Sequence, residues 1–192
     1  LSLKQKELIY YLSEAAAYGR DILYDQNGKW NLAIRRTLEA IYQNYTGDRE
    51  SQDFKNFEVY LKRVWFSNGI HHHYGCDKFV PEFSQEFFTE AVKSLDPKTL
   101  PLTTGASVDD LLNTLTPVIF DSSVMPKRVN QAAGEDLIVT SAGNYYDGVT
   151  QAEAEAFYNK MKNPKDETPI SYGLNSRLVK RDGKIVEETY KV

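Results

Sequence analysis

The stretch LNSRLVKRDGKIVEETYKV, residues 174–192, decides the fold class. Two runs of β-forming residues flank Asp182–Gly183. Asp-Gly suits a two-residue type I′ turn, because both central residues take positive φ. Placing Arg181 opposite Lys184 puts Val179 across from Val186 and Arg177 across from Glu188. An opposite-charge pair of that kind contributes roughly 0.2–1 kcal/mol. A lone hairpin is marginal in water, so these strands require sheet partners. LIVTSA, residues 137–142, is rich in β-formers and reads as a strand able to serve. NYYDGV, just after it, reads as a turn.

Outward from the hairpin the chain reads as helix. Ser2 with Gln5, Ser107 with Asp110 and Thr150 with Glu153 have the spacing of capping boxes. Helical stripes follow at Leu8, Leu12, Ala15 and Ala16; at Ile34, Leu38, Ile41 and Tyr45 behind a cap at Asn31; and at Phe54, Phe57, Leu61, Val64 and Trp65 behind Ser51. Ser84 opens a helix carrying Phe87, Phe88, Ala91 and Val92. Pro117 is expected to kink or end the helix that starts at Ser107. The prediction is α+β: a mainly helical amino-terminal part, residues 1–95, followed by a mixed part, residues 96–192, with a small antiparallel β element. The mixed part has a strand near 137–142, a helix near 151–162 and the hairpin, and both parts are expected to form one compact unit.

Composition limits the partners. With 23 Lys and Arg against 27 Asp and Glu, net charge is −4, and no broad basic surface exists to draw in nucleic acid. Lys127–Arg128 is too small a cluster to read as a phosphate patch. No apolar run approaches the roughly 20 residues that span a bilayer. Cys76 is the single cysteine, so an intrachain disulfide is impossible and a cytoplasmic setting is expected, with the periplasm as the alternative. The sequence begins without Met, directly on a helix signal, and reads as part of something longer. Thirteen tyrosines supply either core aromatics with hydroxyls at the edge or a tyrosine-lined cleft for a peptide.

SNGIHHHYGCDKFVP, residues 67–81, holds every histidine. A zinc site needs three or four converging ligands. Adjacent side chains diverge by about 100° on a helix and alternate faces on a strand. Only His71 and His73 are able to point the same way, and then only in an extended segment, so the expectation is opportunistic metal binding at most. A packed histidine cluster at a helix-to-loop junction and peptide contact in a cleft are the other readings. Asn68, His71, His73, Tyr74 and Lys78 are the candidate cleft-lining residues. No His-Glu-x-x-His, Gly-x-Ser-x-Gly, P-loop or Gly-x-Gly-x-x-Gly motif occurs, so no catalytic residue is assigned.

Four segments carry a resemblance that runs in order along the whole chain: LSLKQKELIYYLSEAAAYGRDI, FKNFEVYLKRVWFSNGIHHHYGCDKFVPEF, NYYDGVTQAEAEAFY and SYGLNSRLVKRDGKIVEETYKV. Together they resemble the dipeptidyl peptidase III family in its Bacteroides-type form. Gly69, Gly75, Lys78, Phe79, Val80 and Pro81 match the family pattern, whereas the three histidines take places that vary among relatives. The resemblance implies a zinc metallopeptidase of two lobes that removes dipeptides from the amino end of oligopeptides. It also implies that the zinc of the full-length enzyme comes from a His-Glu-x-x-x-His motif and a further Glu, neither of which is present in these residues. This chain is then the amino-terminal, non-catalytic segment, and its partners are the remainder of the same polypeptide and an oligopeptide substrate. The alternative is a stand-alone peptide- or protein-interaction module.

Overall fold

A computed structural model describes residues 1–165 and 176–189. Its elements are α1 (Leu3–Tyr18), α2 (Arg20–Asn27), α3 (Asn31–Asn44), α4 (Gln52–Ser67), α5 (Gln85–Lys93), α6 (Val108–Phe120), β1 (Tyr146–Asp147), α7 (Gln151–Asn159), β2 (Ser176–Arg181) and β3 (Lys184–Thr189). The fold is α+β, as expected. The helix starts follow from capping chemistry. At Ser2, Ser107 and Thr150 the hydroxyl accepts the N–H of the third helical residue, whose side chain accepts in return from the cap N–H. Ser51 and Ser84 accept from Phe54 and Phe87 in the same way.

The main core lies between α2 and α6. Ile34, Leu38 and Ile41 of α3 meet Phe54, Phe57, Leu61 and Val64 of α4, and α5 adds Phe88, Ala91 and Val92. Aromatic rings dominate it: Tyr45 stacks on Phe54 at 5.6 Å, and Phe83 meets Phe57, Tyr60 and Phe120 edge-on. α6 supplies Leu112, Leu115, Val118 and Ile119 to this same core. The helix expected to start at Ser107 thus packs with the helices of residues 1–95. A second, smaller core gathers Val149, Ala154 and Leu178 beneath the sheet.

α1 departs from expectation. Its capping box forms, yet no side chain on it is buried, and Leu8 and Leu12 are 58% and 59% exposed. The apolar stripe is present, but nothing among the described residues covers it. Pro117 neither ends nor breaks α6, which runs on to Phe120. Its ring costs the bond to the Asn113 carbonyl, yet the helix continues and closes with the Asp121 N–H donating to Pro117 O at 3.0 Å. α7 ends at Asn159, short of the expected 162.

The hairpin register is as read: Arg181 opposite Lys184, Val179 opposite Val186, Arg177 opposite Glu188. Asp182 and Gly183 have φ of 49° and 74°, as the turn requires. The side chains pair differently. Arg181 grips Glu188 through Nε at 2.7 Å and Nη2 at 3.1 Å, while Arg177 turns to Asn144 Oδ1 at 2.9 Å. Residues 174–175 and 190–192 of the expected hairpin lie outside the described residues.

The third strand is not 137–142. Asp136 Oδ1 accepts the N–H groups of Ile138 and Val139, both at 2.9 Å, and Thr140 Oγ1 donates back to Asp136 O at 2.7 Å. These local bonds wind the β-formers into a turn, because side-chain acceptors satisfy the backbone that a ladder would otherwise use. The sheet partner is Tyr146–Asp147, from the expected turn NYYDGV, and it pairs with Leu178 and Val179 in parallel. The β element is thus mixed, ordered β1-β2-β3, with β2 central and its Leu178 and Val179 both buried.

Candidate functional site

The histidine segment is built as a tight loop at the end of α4. Asn68 caps that helix in the left-handed region at φ 51°, and Gly69 follows at φ 148°. A Cβ on Gly69 would stand 2.4 Å from Asn31 Nδ2. Asn31, expected as a helix cap, instead lies inside α3 and is buried, with Oδ1 accepting the Ile70 N–H at 3.3 Å. From there the chain makes a narrow excursion and returns. Phe79 N–H donates to Ile70 O at 2.8 Å and His72 N–H to Asp77 O at 2.8 Å. Residues 126–128 line up beside it: Lys78 N–H bonds Pro126 O at 3.0 Å, and Arg128 N–H bonds Cys76 O at 2.9 Å.

The three imidazoles take three different tasks. His71 is 2% exposed, with Nε2 2.8 Å from Met125 O, so Nε2 carries the proton. Burial holds its pKa below the ordinary histidine value, against the Met125 bond that favours the charged form. His72 Nδ1 accepts the N–H groups of Tyr74 and Gly75 at 3.2 and 3.0 Å and so fixes the turn. His73 stacks on His72 at 4.6 Å and meets Phe66 edge-on at 4.9 Å. His71 and His73, the two that an extended segment would point the same way, do not come together. The loop turns at 73–75 instead of extending, so His71 faces inward and the neighbouring rings stack outside. Among the described residues no three His, Cys, Asp or Glu side chains gather around a point.

Lys78 acts on α6. Its Nζ donates to the carbonyls of Val118 at 2.9 Å and Val124 at 2.6 Å, and also to that of Asp121. A cation at a helix C-terminus satisfies carbonyls that lack an intrahelical partner and complements the helix dipole. Burial lowers its pKa.

Arg128, set aside in the sequence as half of too small a basic cluster, is the hub. Nη1 donates to Asn27 Oδ1 at 3.3 Å, Nη2 donates to His73 O at 2.9 Å, and Nη2 lies 3.7 Å from Cys76 Sγ. Beside it opens a cleft of ≈ 310 Å³ lined in part by Gln26, Asn27, Ile138, Tyr145 and Tyr146. Burial raises the pKa of both tyrosine hydroxyls. None of Asn68, His71, His73, Tyr74 and Lys78 lines this cleft. Asn68 borders a separate depression of ≈ 580 Å³ with Arg35 and Phe66, and Tyr74, 85% exposed, borders another of ≈ 510 Å³ with Cys76 and Lys127. His71 and Lys78 are internal fasteners.

Searches of the chain against protein-family models and against curated proteins return no match.

Proposed function

We propose that this chain is the amino-terminal, non-catalytic part of a dipeptidyl peptidase III, a zinc exopeptidase releasing dipeptides from the amino end of oligopeptides. The supporting observation is the part played by NGIHHHYGCDKFVP, the stretch most specific to the resemblance. Its Gly69 is pressed against Asn31, and its Lys78 binds the end of α6, so the matching residues act as scaffold. In this reading the chain supplies a wall of the substrate cleft, and the zinc ligands belong to other polypeptide. Metal-assisted hydrolysis needs a metal-bound water and a base beside it, and in this reading other polypeptide supplies them. No helix among the described residues is long and apolar enough to cross a membrane. The reading sets the protein in the cytoplasm, where the lone Cys76 thiol persists reduced.

One observation favours the second reading, a stand-alone interaction module: the uncovered apolar residues of α1. A dipeptidyl-naphthylamide assay with added zinc distinguishes the two. The 192-residue chain alone should give no turnover, and the protein encoded by the complete gene should give chelator-sensitive release of dipeptide. Chelator-sensitive release by the chain alone, or a complete gene product without zinc peptidase activity, would remove the first reading.

A further inference from the structure

Arg128 brings a positive charge to the wall of a cleft in which it is, among the described residues, the one charged lining residue. Its bonds to Asn27, His73 and Cys76 go to neutral acceptors, and its Nε is buried without a hydrogen-bond partner among the described residues. A guanidinium neutralised by no lining carboxylate among the described residues, in a concave and largely apolar setting, favours an anion there more than it would in open water. Val129, Leu137, Ile138, Tyr145 and Tyr146 form the apolar and aromatic walls, beside the polar Gln26, Asn27 and Ser141. Asn27 Nδ2 already donates to Asn68 O and Ser141 Oγ to Leu137 O, which leaves mostly apolar and aromatic surface and not the several converging donors that a phosphate takes.

We propose that this cleft binds a small carboxylate bearing one apolar ring or branched chain. The carboxylate sits on the Arg128 guanidinium, and the apolar part lies against Tyr145, Tyr146 and Ile138. The size agrees: ≈ 310 Å³ is at the small end of ligand cavities. At interior packing density such a space takes roughly a dozen non-hydrogen atoms. The site is independent of the exopeptidase reading and stands without it.

Hydrocinnamate and its uncharged amide, hydrocinnamide, are suitable probes, titrated into the 192-residue chain and followed by backbone amide NMR. The expected result is saturable shifts centred on Arg128, Ile138, Tyr145 and Tyr146, with the acid binding roughly tenfold or more tightly than the amide. Gly143 also lines the cleft, and a Cβ there meets only Arg128 O at 3.6 Å, an ordinary contact. Gly143→Leu should fill the space and abolish the shifts. The comparison of acid with amide on the unaltered chain decides the matter even if that variant does not fold. Absence of saturation by about 20 mM, equal affinity for acid and amide, or undiminished shifts in a folded Gly143→Leu chain would each overturn the proposal.

Discussion

At the scale of the residue, His71 has the clearest consequence. It is held neutral by burial, with its Nδ1 enclosed and without a hydrogen-bond partner among the described residues. Lys78 and Arg128 nearby oppose a second proton and Asp77 favours it. The folded pKa lies below the unfolded value of about 6.5, so between them the unfolded chain binds more protons. Stability from this site is complete above about pH 6.5 and falls as pH drops from there toward the lowered folded value. Denaturant midpoints measured from pH 7.5 downward should show that slope, and His71→Gln should flatten it. Whether a given residue's role was legible depended on the reach of its bonds. Ser2, Ser107 and Thr150 act within four positions of themselves, and the sequence shows it. Asn31 meets Ile70 across 39 positions and Arg128 meets Asn27 across 101, and no local pattern announces either bond.

At the scale of the element, α6 depends on a distant side chain. Its last turn contains Pro117, and the carbonyls around its end converge on Lys78 Nζ. Lys78→Met removes the donor and leaves half-buried carbonyls unsatisfied. The variant should lose about 1–3 kcal/mol in urea denaturation, with early loss of amide protection in residues 118–124. A loss below a few tenths of a kcal/mol would mean that water replaces the ammonium without penalty. The elements also show why LIVTSA misleads. Strand propensity is a weak, contextual preference. Asp136 offers two backbone N–H groups an acceptor at 2.9 Å immediately, whereas a ladder partner must arrive from far along the chain. The β2–β3 hairpin carries no such conflict, because its turn residues and its alternation agree, and its register was readable to the residue.

At the scale of the whole molecule, the helical core and the small sheet core are separate clusters, and α1 belongs to neither. An isolated helix of 16 residues is marginal in water. Amide exchange in α1 should therefore run roughly a hundredfold or more faster than in α4, whose Phe57 and Val64 are fully buried. Protection in α1 equal to that in α4 would show that its apolar surface is covered in solution, for instance by a second copy. The two cores meet where Asn144 N–H donates to Gln26 O at 2.9 Å, next to the bond between Arg128 and Asn27. The polypeptide from the end of α2 to the start of β1 is thereby closed into a ring without a covalent link. A nick in the exposed turn at Gly105, where a Cβ would find nothing within 4 Å, opens the backbone but not the circuit. The severed pieces remain clasped through α3, α4 and α6, and the geometry around Arg128 outlives the break.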